Sequence, residues 1–129
     1  MSIPSDARYT REHEWARSDG DEVVVGITAY SAEELGEVVY VELPAEGDRV
    51  DELGEFGTVE SVKAVSPLHA PIGGEIVAVN SALGSEPELV NSSPMGDGWM
   101  IRLRPNDAAA VDALMDAAAY AEFVDELRA

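Results

Sequence analysis

Short runs of β-branched and aromatic residues alternate along this chain with Gly, Pro and Asp, and this spacing leaves little room for any fold that is not rich in β-structure. β-Branched and aromatic side chains suit strands, whereas Gly, Pro and Asp favour turns. Short strands at even spacing are typical of β-sandwiches and barrels. The sequence therefore predicts a mostly β fold, built from the runs 23–27, 38–43, 56–62, 75–79 and 99–104.

Two segments carry helical patterns instead. Ser31 and Glu34 have the spacing of a capping box with Ser31 as N-cap, and Gly36 follows where a helix would end, so we expect a short helix near 31–35. Later in the chain, apolar residues recur at steps of three and four and predict C-terminal amphipathic helices over about 107–128. This apolar stripe consists of Val111, Leu114, Met115, Ala118, Phe123, Val124 and Leu127.

The length of 129 residues suits one domain, and a hydrophobic content of 46% is enough for a buried core. No low-complexity linker separates the helical end from the rest. We therefore expect a single domain over 1–129, with a β core at about 9–104 and the helical segment at about 107–128 packed against it.

The charge of the chain excludes several kinds of partner. Asp and Glu number 26 against 8 Lys and Arg, which gives a net charge of −18. Nucleic acid and anionic lipid are bound through Lys and Arg, so neither is expected as a partner. No run approaches the roughly 20 apolar residues that span a bilayer, and the first residues lack the basic and apolar regions of a signal peptide. We expect a cytoplasmic protein.

The acidic excess is combined with a near-absence of lysine, since Lys63 is the only lysine among the 8 basic residues. Repulsion among so many like charges destabilises a compact state at low salt, whereas about 1 M salt shortens the Debye length to about 3 Å and screens it. This composition predicts that the protein functions in the salt-rich cytosol of an extreme halophile. The alternative is an acidic protein of ordinary salt tolerance.

Lys63 lies between two predicted strands, and the chain contains no cysteine. A lysine on a tight turn presents its amine to solvent on a rigid base, as a modifying enzyme requires. Without cysteine, redox chemistry must come from an attached or bound group. The position favours an acylated carrier lysine over a buried Schiff-base lysine, with an ordinary surface lysine as the alternative.

The residues around Lys63 resemble the lipoylation segment of the glycine cleavage system H protein family. The resemblance begins at Glu60-Ser61-Val62-Lys63-Ala64, preceded by Gly57-Thr58-Val59 and followed by Pro71-Ile72-Gly73-Gly74-Glu75-Ile76. Further blocks occur in the family's order over residues 9–104. They include Tyr9-Thr10, His13-Glu14-Trp15, Val25-Gly26-Ile27-Thr28, Leu35-Gly36-Glu37-Val38-Val39, Val41-Glu42-Leu43-Pro44, Leu89-Val90-Asn91 and Gly98-Trp99-Met100.

The resemblance implies a barrel-sandwich hybrid of the lipoyl/biotinyl type, with (R)-lipoate in amide linkage on Lys63. It implies a shuttle and not an enzyme, so no catalytic residue and no metal site are expected. Its partners would be the pyridoxal-phosphate glycine decarboxylase (P protein), the aminomethyltransferase (T protein), the flavin-dependent dihydrolipoyl dehydrogenase (L protein) and a lipoylating enzyme. The lipoyl group would receive the aminomethyl group of glycine on the P protein, deliver it on the T protein and be reoxidised by the L protein.

Other residues are candidates for smaller roles. By resemblance, Glu14 lies beside the cleft that receives the loaded arm, where a carboxylate suits a cationic amine. Glu60 and Ser61 are candidate contacts of the arm or of the lipoylating enzyme. His69 is expected to be structural, and for His13 a satisfied surface group is expected in preference to a ligand or a base. The chain departs from the family at two positions thought to approach the arm, where Pro67 replaces a common Asp and Glu34 a common His.

Four alternatives remain open beside the cleavage carrier. A lipoyl relay that donates lipoate to 2-oxoacid dehydrogenases would use the same lysine. A biotin carrier is less favoured, because Val62 and Ala64 stand where biotinyl domains usually have Met. An enzyme using acidic pairs such as Glu12 and Glu14 has little support in so acidic a chain. In an unmodified interaction module, Lys63 would be incidental.

Overall fold

The computed structural model describes residues 3–128, and most of its regular structure is β. All strand pairs are antiparallel. The strands are β1 Arg8–Tyr9, β2 Glu14–Asp19, β3 Glu22–Ile27, β4 Val38–Glu42, β5 Arg49–Val50, β6 Glu55–Ser61, β7 Val65–His69, β8 Gly74–Val79 and β9 Ile101–Pro105.

The helices are short except for the last one. They are α1 Ala29–Leu35, α2 Ala82–Ser85, α3 Leu89–Ser92 and α4 Ala117–Arg128, with a 3₁₀ helix at Ala108–Ala113. Helices α2 and α3 lie within residues 80–97, a stretch that contains several Gly, Pro and Asn residues. Each is a single turn of four residues, too short to show a helical period in the sequence.

The strands form two sheets. One has six strands in the order β1-β2-β3-β9-β8-β5, and the other has three in the order β4-β6-β7. Within residues 3–128 neither sheet closes into a barrel. The predicted fold class, mostly β with a short early helix and a helical C-terminal end, is confirmed.

The main core lies between the two sheets. Strand β3 contributes Val23, Val25 and Ile27 from the larger sheet, and the smaller sheet contributes Val41 and Val59 among others. The intervening Val24 faces the opposite side and belongs to a second apolar cluster. Because β3 is covered on both faces, its Val-Val-Val run is continuous and does not alternate with polar residues.

The second cluster attaches the C-terminal helix to the larger sheet. Tyr120 of α4 is fully buried and stacks on Tyr9 of β1, with ring centroids 4.7 Å apart. Trp15 packs in the same cluster, and a Cβ at its cross-strand partner Gly26 would come within 2.9 Å of the indole. A side chain at position 26 would therefore collide with the indole of Trp15 in its observed position.

Three local predictions are corrected by the structure. Helix α1 begins at Ala29 with Thr28 as N-cap, and the Thr28 hydroxyl accepts a hydrogen bond from the Ser31 amide, so Ser31 lies inside the helix. Strand β9 begins at Ile101 because the Trp99 amide donates to the Gly96 carbonyl in a turn. Ala118 and Leu127 were assigned to the apolar stripe, but both are exposed, Leu127 to 50%.

No helix within residues 3–128 is both long enough and apolar enough to cross a membrane.

Candidate functional site

Lys63 lies on the four-residue turn that joins β6 and β7. The last strand pair is Glu60 with Val65, and the Ser61 amide donates to the Ala64 carbonyl at 2.8 Å to close the turn. Lys63 is exposed, and it forms no ion pair with any residue of the described chain. The amine is therefore accessible on a hydrogen-bonded base.

The side chain of Ser61 builds this turn. Its hydroxyl oxygen accepts hydrogen bonds from the Lys63 amide at 3.3 Å and from the Ala64 amide at 3.2 Å. Ser61 is 5% exposed, so its hydroxyl is not presented to a partner. A hydroxyl that bonds to backbone amides two and three residues later is a common way to fix a turn. The structure thus gives Ser61 a role in holding Lys63.

The turn is also hydrogen-bonded to the corner between α1 and β4. The Val62 amide donates to the Glu37 carbonyl at 3.0 Å. Asn91 of α3 fixes the same corner, since its amide nitrogen donates to the Gly36 carbonyl at 2.8 Å and its oxygen accepts from the Val38 amide at 2.9 Å. The turn is therefore bonded to the α1–β4 corner, and α3 fixes that corner through Asn91.

Gly36 at this corner has φ 78° and ψ −156°, a backbone conformation that is essentially restricted to glycine. The Lys63 side chain lies against it, with Cε 3.6 Å and Nζ 4.0 Å from the place a Cβ of residue 36 would occupy. Those distances are ordinary van der Waals contact, so the backbone conformation and not crowding by Lys63 requires the glycine.

Exposed apolar side chains surround the turn on the solvent face of the smaller sheet. Tyr40, Glu60 and Val65 are cross-strand neighbours, so their side chains share that face. Tyr40 is 53% exposed, Val62 67% and Val65 65%, and Val39 is exposed as well. We call the surface formed by Val39, Tyr40, Val62 and Val65 the tip patch. Large exposed apolar side chains grouped in this way mark interaction surfaces.

An acidic cavity of about 180 Å³ lies between α1, β7 and the segment that precedes β2. Its lining includes Glu12, Glu14, Ser31, Leu35, Pro67 and His69. Neither Glu12 nor Glu14 forms an ion pair within residues 3–128, and no Lys or Arg lines the cavity. The cavity therefore presents the exposed carboxylate of Glu12 and the buried carboxyl group of Glu14 without a cationic partner, an arrangement that suits a cation.

Glu14 is only 2% exposed, whereas a glutamate is rarely buried to this extent. One carboxylate oxygen accepts from the Thr10 hydroxyl at 3.1 Å and the other from the His69 amide at 3.2 Å. Burial raises the pKa of Glu14 from 4.5 to about 8, while these two hydrogen bonds act in the opposite direction and the nearby Glu12 adds to the rise. A buried carboxyl with a raised pKa is characteristic of functional sites, though not restricted to them.

His13 packs against α4 and does not line the cavity. Its Nδ1 is 2.8 Å from the Tyr120 hydroxyl, and its ring contacts Tyr30 and Phe123. Burial lowers the pKa of His13, against the opposing charges of Glu12 and Glu34. The Tyr120 hydroxyl also lies 2.7 Å from the Thr28 hydroxyl at the start of α1. Helix α4 thereby supports the two segments that flank the cavity.

The structure places the predicted residues in two groups. Lys63, Ser61 and the exposed Glu60 lie at the turn, whereas Glu14, Pro67 and His69 line the cavity. Glu34 is exposed on α1 and is not part of the lining.

Sequence reasoning did not assign a role to Asn91 or Tyr120. Tyr120 had a usable signal, because it precedes the predicted Phe123 and Val124 by three and four residues. Within residues 3–128 no three His, Asp or Glu side chains come together in an arrangement that could hold a metal ion.

Two antiparallel sheets with a solitary lysine at the tip of one hairpin are the arrangement of carrier domains of the lipoyl/biotinyl type. A family model described as glycine cleavage H-protein matches residues 7–127. The chain belongs to the glycine cleavage H-protein family.

Individual relatives agree with this assignment over nearly the whole chain. A protein of Anaeromyxobacter sp. (strain K) named glycine cleavage system H protein is 56% identical over 126 residues, which is 98% of each sequence. One of Magnetococcus marinus with the same name is 53% identical over 97% of this chain and 89% of its own length. The crystal structure of a glycine cleavage system H protein from Mycobacterium marinum superposes with a TM-score of 0.85 at 38% identity, covering 98% of this chain and all of that one.

Proposed function

We propose that this protein is the lipoyl carrier of a glycine cleavage system and that Lys63 is the residue that carries lipoate. The single observation that supports this most is the chain's only lysine, whose exposed amine forms no ion pair within residues 3–128, on a turn held by Ser61, Glu37 and the sheet. The family membership favours this function over a lipoyl relay, a biotin carrier or an unmodified interaction module.

The residues around Lys63 suit an acyl group in amide linkage. Amide formation removes the positive charge of the lysine, and no carboxylate loses an ion pair as a result, because Lys63 forms none in the described chain. Gly36 leaves a side-chain-free surface beside Cε. When attached, lipoate supplies the disulfide and dithiol chemistry that a chain without cysteine lacks. The polypeptide itself acts as a carrier and not as an enzyme.

Intact-mass spectrometry of the protein purified from its native host tests this function. We expect a single lipoyl mass increment, located at Lys63 by peptide fragmentation. A biotinyl increment, or an unmodified mass from cells grown on glycine, would contradict the proposal.

We further propose that the acidic cavity receives the arm when it carries the aminomethyl group of glycine. The cargo contains a cationic amine, and Glu12 and Glu14 provide the negative charge to hold it. A cation beside Glu14 favours the ionised carboxylate and lowers its pKa from about 8. In this role Pro67 contributes only to the shape of the cavity, because its side chain has no charged or hydrogen-bonding group.

The tip patch is proposed as the surface that the lipoylating enzyme covers. That enzyme must reach Nζ itself, so it must contact the residues next to the turn. Glu60 lies in the middle of this face between Tyr40 and Val65 and is the candidate polar contact. The P, T and L proteins are the further partners of the loaded chain, whereas nucleic acid and membranes are not expected partners of a surface this acidic.

We propose that the chain works as one domain, in a cytosol of high salt concentration. Helix α4 is joined to the β core by the stacked rings of Tyr9 and Tyr120 and by the hydrogen bonds to His13 and Thr28. The described chain has four ion pairs for a net charge of −18, so most carboxylates are uncompensated.

Thermal unfolding in a KCl series measures this salt requirement. Between about 0.1 M and about 3 M KCl we expect the Tm to rise markedly, because salt screens the repulsion among exposed carboxylates. The variant Glu46→Gln/Asp51→Asn/Glu86→Gln removes three exposed charges that form no ion pair, and we expect a higher Tm at low salt and a smaller salt dependence. A Tm that stays flat across the series would exclude the halophilic assignment.

A further inference from the structure

An apolar groove of about 350 Å³ lies at the end of the smaller sheet that is far from Lys63. It runs between the turn that precedes β6, the residues that follow β7 and the residues that follow the 3₁₀ helix. We call it the Leu53 groove. Its lining includes Leu53, Pro71, Leu114 and Met115, with Arg11 and Glu12 beside them.

Leu53 is held in a backbone conformation that leucine rarely adopts. Its φ is 62°, in the left-handed region, where a Cβ crowds the backbone. The Leu53 amide donates to the Ala70 carbonyl and the Gly54 amide to the Asp51 carbonyl, both at 2.8 Å, so hydrogen bonds fix this turn. Asn or Gly would adopt the same turn at a lower cost in free energy.

The Leu53 side chain is nevertheless apolar, is 55% exposed and belongs to neither of the two apolar clusters. Neither the core nor the turn therefore accounts for a leucine at this position. Backbone strain and an exposed apolar side chain that occur together are typical of a surface that binds another molecule.

Arg11 adds a positive charge to the rim of the groove. It is exposed, its guanidinium lies over the Phe123 ring at 5.1 Å from the centroid, and it forms no ion pair within residues 3–128. Glu12 and Glu52 line the groove as well, so the rim carries charges of both signs, whereas no Lys or Arg lines the acidic cavity. A complementary partner presents an apolar side chain to Leu53 and a carboxylate to Arg11.

The Leu53 groove adjoins the acidic cavity, and Glu12 lines both of them. Strand β7 connects the features of this side of the molecule. Val65 at its start belongs to the tip patch, His69 at its end lines the cavity, and Pro71 just beyond it lines the groove. The strand is about 13 Å long at the usual rise per residue. A protein that covers the cavity therefore meets the tip patch on one side and the groove on the other.

We infer that the Leu53 groove is a docking site for the T protein, an inference that rests on the proposed carrier function and on the proposed role of the acidic cavity. The T protein removes a cargo that lies in the cavity, so it has to cover the cavity and can reach the groove beside it. The lipoylating enzyme acts at Nζ of Lys63 and needs only the tip patch. Salt screens charge attraction between the partners, but it leaves the apolar contact with Leu53 in place.

The variant Leu53→Asn removes the apolar contact without a cost to the fold. Because asparagine tolerates a positive φ better than leucine does, the Tm should equal or exceed that of the wild type. A role in packing alone predicts a lower Tm. Leu127→Asn is the matched control, since Leu127 is 50% exposed on α4 and does not line the groove.

Steady-state kinetics of the T protein measure the contact, with the loaded carrier as the varied substrate in constant high salt. The lipoyl and aminomethyl mass increments on Lys63 are verified first. Leu53→Asn should raise KM about tenfold with kcat nearly unchanged, because about half of a leucine side chain is left for a partner to bury. Arg11→Gln should also raise KM, and Leu127→Asn should not. The rate of lipoylation should be the same for all of these proteins.

The outcomes distinguish this inference from the proposed function. An unchanged KM in Leu53→Asn or in Arg11→Gln, or an equal rise in Leu127→Asn, would overturn the docking site and leave the lipoyl carrier intact. A lower Tm or slower lipoylation of Leu53→Asn would overturn it too. Absence of any lipoyl increment on Lys63 in protein from the native host contradicts the proposed function instead, and the docking site with it.

Discussion

The variant Lys63→Arg should accept no lipoate at all, and a glycine cleavage system reconstituted with it should release no glycine-dependent CO₂. Arginine keeps the positive charge at the turn, but its guanidinium does not form the amide. Because Lys63 is the only lysine, no other side-chain amine can substitute for it. The two measurements are the intact mass after incubation with the lipoylating enzyme and the release of labelled CO₂ from carboxyl-labelled glycine.

A second variant tests whether the position of the lysine matters and not only its presence in the chain. In Lys63→Arg/Arg104→Lys the chain again has one lysine, now an exposed residue of β9 that pairs with Glu75 at 3.4 Å. We expect this variant to remain unmodified, because the amine no longer lies on the turn beside the tip patch. If it were lipoylated and supported CO₂ release, the position of Lys63 would have no importance. Release of CO₂ by the single variant Lys63→Arg would refute the carrier function itself.

The largest effect expected on stability comes from Glu14→Gln. Burial raises the pKa of Glu14 from 4.5 to about 8, so the folded state keeps a proton that the unfolded state has already lost in that pH window. The free energy of unfolding must therefore fall as the pH rises from about 4.5 to about 8 and level off above that. A shift of this size corresponds to roughly 5 kcal/mol as an upper limit. Glutamine is neutral and keeps an acceptor for the His69 amide, so Glu14→Gln should abolish most of this fall.

Denaturant unfolding at pH 4 and pH 9 in constant high salt measures the difference. The two proteins should have similar stability at pH 4, and Glu14→Gln should be the more stable one at pH 9. Glu12→Gln is the matched control, since Glu12 lines the same cavity but is exposed, and its effect should be below about 1 kcal/mol. Equal pH dependence of wild type and Glu14→Gln would show that the buried carboxylate does not titrate as described.

Patterns local in sequence predicted most of the fold. The predicted run 56–62 that precedes Lys63 is present as β6, whereas β7, Val65–His69, was not among the predicted strands, and it contains Pro67. The start of α1 was misplaced because Thr28 and Ser31 are both hydroxyl residues that can cap a helix. What distinguishes them is tertiary, since Thr28 is buried and its hydroxyl lies 2.7 Å from that of Tyr120.

The electrostatics of the candidate site depend on contacts that the sequence does not display. A carboxylate on a strand is usually solvated, but Glu14 is buried by strand pairing with β3 and by the His69 amide, which lies 55 residues away in the chain. Asn91 likewise forms a hydrogen bond to Gly36, which precedes it by 55 residues in the chain. The resemblance to a family placed both residues within its matching blocks, but only the folded structure shows what they contact.

Hydrogen bonds from Val62 to Glu37 and within the turn fix the backbone at Lys63. With lipoate attached as proposed, the range of positions of its reactive end would therefore be set by rotation about the bonds of the arm and not by movement of the turn. The proposed partner enzymes would all reach that end from the side of the smaller sheet that carries the turn, which favours successive binding at one shared surface over a stable complex of all partners.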